Sequence, residues 1–242
     1  MPNVLHPCRN VKTVKVHGKS FCAFISVFNV FICLMARAES DEVKRLEADP
    51  IIEEGSPRRW ALATDAIHST LREAGLDRLR WGAATKANIE YVRKDLEQGP
   101  WRIRSRADVL ESLKTTQTDS YSKMFLELGE YLSKLSEAER VAYAAKQNDD
   151  PKVLNRIKIA TEQYPRLKNK GLLAWDLARC VALCRRAYTV GFLEREEAWT
   201  IIMPIALKIQ TVFDSWEDLG IYVARQFYNQ LKISFSGTNI LE

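Results

Sequence analysis

The sequence predicts an all-α fold, a single multi-helix domain of eight or nine helices preceded by a signal-peptide-like leader. Three observations lead there. Helix caps and stops recur along the chain, period-two strand alternation is scarce, and the first 38 residues follow a basic, apolar, small-residue order. A chain of 242 residues with 46% hydrophobic content can bury a core without disulfide or metal staples.

The leader has three zones. It is basic up to Lys19, uncharged and mostly apolar over Phe21–Ala36, and ends on Ala36-Arg37-Ala38 before Glu39. That is the layout of a cleavable secretory signal, so residues 1–38 are expected to direct a secreted or periplasmic protein. The apolar run is short for a spanning helix, and a cleaved leader leaves no stable membrane span. An uncleaved membrane anchor and a start at Met35 are the alternatives, the latter giving an ordinary cytoplasmic N-terminus. Residues 39–55 are expected to be loose, and the helical domain to cover 56–242.

Each helix has its own signal. Ser56-Pro57 reads as N-cap and N1 of a helix through "RRWALATDAIHSTLREA", closed by Gly75. A second runs through "TKANIEYVRKDLEQ" to Gly99-Pro100. Ser105 with Asp108 opens "RADVLESLKTT", and "SYSKMFLELGEYLSKL" carries apolar residues at helical spacing. Ser136 with Glu139 opens a short helix to about Lys146, and Asp149-Asp150-Pro151 starts another to about Gln163. Tyr164–Gly171 reads as a loop. Helices over Leu172–Val190 and Glu194–Phe213 follow, with Gly191 between them. Ser215 and Asp218 frame a last cap for a helix to about Lys232.

The helix from Leu172 is expected to be central. Leu173, Leu177, Cys180, Val181, Cys184 and Tyr188 share one face, yet Trp175 and Leu183 stand on the other beside Asp176, Arg179 and Arg186. Asp176 and Arg179 are i,i+3 neighbours, read as a pair that fixes helix packing or as an arginine gripping an anion. Pro204 falls on the polar arc of the next helix, whose first turn carries Glu196-Glu197.

Charge and residue types exclude several function classes. Arg9, Lys12, Lys15, Lys19 and Arg37 are the leader's only charged residues, and setting them aside leaves 31 basic against 31 acidic residues. The body therefore lacks the global footprint of a duplex binder, and no nucleic-acid partner is expected. Only His68, Cys180 and Cys184 remain after the leader to serve as imidazole or thiol. That number argues against zinc, a His-based triad or a disulfide scaffold, and no cofactor or metal is expected. The Arg78–Arg80 and Arg102–Arg106 clusters read as solvated faces or local anion sites. An enzyme would have to use carboxylates, with Asp176 and Glu197 as acid and base of a small hydrolase or secreted effector. The competing reading is a non-catalytic domain that binds a protein or small anionic ligand, with Trp175, Arg179 and Trp216 as binding residues.

Trp175-Asp176, Arg179, Tyr188, Gly191-Phe192, Glu197-Ala198-Trp199 and Ser215-Trp216-Glu217 form a pattern. With Trp101, Ile103, Ser105 and Arg106 upstream, it resembles a bacterial domain-of-unknown-function family of the YbeU/YbeR type over about 100–231. The resemblance implies a helical domain and brings no activity with it. Where that family continues with Asn-Tyr and Gly-Arg, this chain has Ile221-Tyr222 and Ala224-Arg225.

Overall fold

The computed structural model describes residues 41–70, 74–118, 120–147, 150–217 and 219. The leader, and the expected helix beyond Trp216 for nearly all its length, lie outside the described residues. The chain divides into two units between Asp41 and Glu42, and the helices below belong to the second. All regular structure among the described residues is helical. Helix α1 contributes residues 42–47 to this unit. The others are α2 (Pro57–Ala63), α3 (Ala66–Thr70), α4 (Lys86–Gln98), α5 (Arg106–Thr118), α6 (Tyr121–Ser133), α7 (Glu137–Ala145), α8 (Pro151–Leu167), α9 (Leu173–Thr189) and α10 (Arg195–Val212).

The caps read from the sequence at Ser56, Ser136 and Asp150 form, and the structure adds Thr85 and Ser120. Ser56, Thr85, Ser120 and Ser136 each accept a backbone N–H from their helix's first turn, and Ser136 with Glu139 completes a capping box. Asp150 caps α8 through the Lys152 N–H at 2.8 Å, with Pro151 at the first helical position.

Three expectations are corrected. The first helix breaks in two at Thr64-Asp65, where the Thr64 hydroxyl donates to the Ala61 carbonyl and Asp65 turns wholly inward. Tyr164–Gly171 is not a loop: α8 continues through Pro165 to Leu167. Pro165 removes the N–H that would bond the Thr161 carbonyl, and burial of Leu167 offsets part of that loss. Residues 42–55 are not loose either. Leu46, Asp49 and Ile52 are buried, and Arg45 donates to the Tyr188 carbonyl at 2.9 Å.

Helix α9 is the axis of the domain, as its two-sided apolar pattern predicts. All of it is buried except Leu173, Arg179 and Arg186. It packs against α3, α4, α5, α6 and α10, while α2 rests on α10 and α8 on α6. Ala174, Ala178, Ala182 and Ala187, with Cys180 and Cys184, keep its girth small enough for neighbours to approach on every side. A second, smaller core lies between α6 and α8, built on Phe125, Leu132, Ile157, Ala160 and Leu167. There Gly129 gives room to the Tyr164 ring, which a Cβ would strike.

The C-terminus of α9 closes in a Schellman turn. Gly191 takes a φ of 78°, and the Phe192 N–H donates to the Ala187 carbonyl at 2.8 Å. Arg45 from α1 and Arg93 from α4 cover the remaining carbonyls, of Tyr188, Thr189 and Val190, as cations suited to that end of the dipole.

One turn earlier lies Arg185, with no exposed side-chain surface. Its Nε donates to the Leu79 carbonyl at 3.3 Å. Nη1 reaches Asp65 Oδ2 at 3.2 Å and the Ser69 hydroxyl. Nη2 reaches the carbonyls of Gly75, Arg78 and Arg80. The Trp81 ring lies against the guanidinium, 5.1 Å from its carbon. Burial pushes the Arg185 pKa down while Asp65 holds it up. This one side chain ties α9 to α3 and to the 74–82 segment, which has no regular structure of its own.

Removing one member of a sealed pair leaves the other charge uncompensated. Arg185→Met should lower unfolding free energy by about 3–5 kcal/mol, read from the urea midpoint. Adding Asp65→Leu to Arg185→Met should restore part of that loss.

Candidate functional site

The two carboxylates singled out in the sequence have occupations of their own. Asp176, in the first turn of α9, is 1% exposed. Its Oδ2 accepts the Ser122 N–H at 2.9 Å, so it serves the opening turn of α6, with Ser120 and Tyr121 adding donors. The Ser122 hydroxyl in turn accepts the Leu172 N–H at 3.0 Å. Gly171 makes this junction with a φ of 57° and no side chain to displace Ser122. Arg179 Nη1 stands 3.8 Å from Asp176 Oδ1. Burial pushes the Asp176 carboxyl up, against the Ser122 N–H and Arg179, which pull it down.

Glu197 lies in the first turn of α10. It closes a capping box on the Glu194 N–H at 3.4 Å and meets Arg106 Nε at 2.8 Å. Its neighbour Glu196 pairs with Arg58 at 2.8 Å and Arg195 at 2.6 Å.

The three proposed binding residues do not share a pocket. Trp175 is buried, its ring 4.5 Å from that of His68. The Arg179 guanidinium lies over Trp101 at 4.6 Å and Tyr121 at 4.9 Å. Trp216 is 49% exposed and tilts against Trp60 at 5.4 Å. It walls a cleft of about 190 Å³ with Trp60, Ile209, Gln210, Phe213, Asp214, Ser215 and Leu219. Trp175, Arg179, Asp176 and Glu197 are absent from its lining.

The remaining reactive residues are withdrawn from solvent. Cys180 and Cys184 are free and buried. Burial, then the Asp176 charge, pushes the Cys180 thiol up to about 12, and burial raises Cys184 well above the ordinary value. Among the described residues no three His, Cys, Asp or Glu side chains cluster as a metal site would need. The Arg78 and Arg80 cluster is tied inward: Arg78 donates to the Asp49 carbonyl, and the Arg80 N–H to Asp49 Oδ2 at 3.0 Å.

The site that emerges is an aromatic cleft at the end of α10, in an all-α domain organised around α9. The chain belongs to the family described as a protein of unknown function (DUF1266), whose model matches residues 97–236. No curated protein and no solved structure matches it.

The raised Asp176 pKa fixes the sign of its pH effect. The folded carboxyl holds its proton more tightly than an unfolded one at 3.8, so acidification favours the folded state through this residue. That contribution is lost as pH rises through the raised value. In urea titrations between about pH 7 and 4, the wild type should gain on Asp176→Asn as pH falls. A gap that stays constant across that range would show no coupling to this carboxyl.

Proposed function

We propose that the chain is an exported, non-catalytic binding domain of the YbeU/YbeR type, and that the cleft between Trp60 and Trp216 receives a small ring compound. The observation that carries the reading is the make-up of the cleft. Two indoles with Ile209, Phe213 and Leu219 supply an apolar wall, while Gln210, Asp214 and Ser215 place polar groups at its edge. Small-molecule sites combine these two features, with the apolar wall giving affinity and the few polar groups giving orientation.

The alternative, a carboxylate-dependent hydrolase, finds less support. Such a mechanism needs two carboxyls facing one substrate space. Asp176 is enclosed at the start of α6, Glu197 is held by Arg106, and neither reaches the cleft. The argument for export is the order of the leader: a basic stretch, an uncharged apolar run and Ala36-Arg37-Ala38. No helix among the described residues is long and apolar enough to cross a membrane.

Ligand-observed NMR with phenol and phenethylamine tests the cleft. Binding should weaken about tenfold or more in Trp216→Ala and stay unchanged in Asp176→Asn. Equal binding by the wild type and Trp216→Ala would remove the cleft from consideration. Export is read from the N-terminal sequence of the protein recovered from its host. A mature chain starting at Glu39 agrees with it, and one starting at Met35 does not.

A further inference from the structure

Arg179 stands apart from the cleft and from most of the part-buried arginines of the domain. Arg45, Arg93, Arg106, Arg140, Arg185 and Arg195 each donate hydrogen bonds within the protein. Among the described residues Arg179 donates none, and its partner Asp176 lies at 3.8 Å, beyond hydrogen-bond reach. The side chain is 20% exposed, and none of its nitrogens is sealed from water. What holds it is stacking over Trp101 and Tyr121. A guanidinium fixed by its faces keeps its N–H edge for something else.

The surroundings suit that edge to an anion. Asp176 Oδ2 is taken by the Ser122 N–H at 2.9 Å, and Oδ1, 3.8 Å from the guanidinium, makes no hydrogen bond to it. The segment that brings Trp101 to Arg179 also carries Arg102 and Arg104, both exposed. Arg102 holds a φ of 55°, a left-handed conformation that a side chain other than glycine adopts only when its neighbours impose it. Ile103 imposes it here, being fully buried and donating its N–H to the Leu96 carbonyl at 2.9 Å. The strained residue thus lets Trp101 and Ile103 both pack inward while two cations face solvent. Beside Tyr121, one helical step along α6, Met124 is also exposed.

We propose that Arg179, with Trp101 and Tyr121, is a binding seat for a small organic oxyanion, a carboxylate or phosphate monoester carried on an apolar body. The planar fork matches two oxygens of either group, which a lysine cannot do. Tyr121 and Met124 would cover the body of the ligand. No chemistry on the ligand is implied.

The test is titration of the full chain with benzoate and with phenyl phosphate, followed by ligand-observed NMR and calorimetry, with benzamide as uncharged control. At least one anion should saturate an Arg179-dependent site, while any benzamide binding, which belongs to the cleft, is the same in the wild type and Arg179→Lys; the stronger of the two anions identifies the group recognised. Arg179→Lys should weaken binding about tenfold, and Arg179→Met should remove it. Trp216→Ala should leave it unchanged, which separates this seat from the cleft. If neither anion saturates the wild type, or if Arg179→Lys binds as the wild type does, the proposal fails. Should Arg179→Met not fold, as judged by its thermal melt, the lysine variant decides alone.

Discussion

An arginine side chain carries five N–H donors and a charge that cannot be titrated away, so placing one where no water reaches obliges the protein to meet every donor. Arg185 is met by Asp65 and Ser69 from the α3 region and by the carbonyls of Leu79, Gly75, Arg78 and Arg80. The 74–82 segment has no helix or strand of its own to satisfy its carbonyls, and Arg185 does it instead. The Trp81 ring then covers both Arg185 and Arg186, and the Trp81 backbone N–H donates to the Thr189 hydroxyl at 2.7 Å. The irregular part of the domain is therefore organised from the central helix outward.

The two ends of α9 complete that arrangement by opposite means. At its start, the helix supplies a carboxylate to another helix's first turn, through Asp176 and Ser122. At its end, it receives cations from α1 and α4 on its last carbonyls. Both contacts join elements distant in sequence, so α9 sets the position of α1, α4 and α6. Burial of the second core then places α8 against α6, away from the axis. Helix α7 buries no residue and packs the partly buried Tyr143 and Ala144 against the second core.

Much of this was legible in local chemistry. Caps at Ser56, Thr85, Ser120, Ser136 and Asp150 are short-range events, determined by residues three or fewer positions apart, and the sequence displays them directly. The central place of α9 was legible for the same reason. What escaped depended on distant partners. Nothing near Asp65 says that it turns inward to meet a guanidinium 120 positions away. A signal did exist: Arg185 falls between Val181 and Tyr188 on the apolar face, where a charge demands a buried partner. The i,i+3 spacing instead displays Arg179 beside Asp176, although Asp176 mainly serves α6. The pairing of Trp60 with Trp216 and of Trp101 with Arg179 likewise arises only in three dimensions.

The two thiols on α9 have a consequence for how the molecule can be watched. Cys180 and Cys184 are covered on all sides by the helices that surround the axis, and burial holds both in the protonated form. An alkylating reagent can reach them only when that sheath parts, and only then do they regain an ordinary thiol's reactivity. Their labelling rate is thus a clock for the rarest excursions of the native state, built into the chain without any engineered probe.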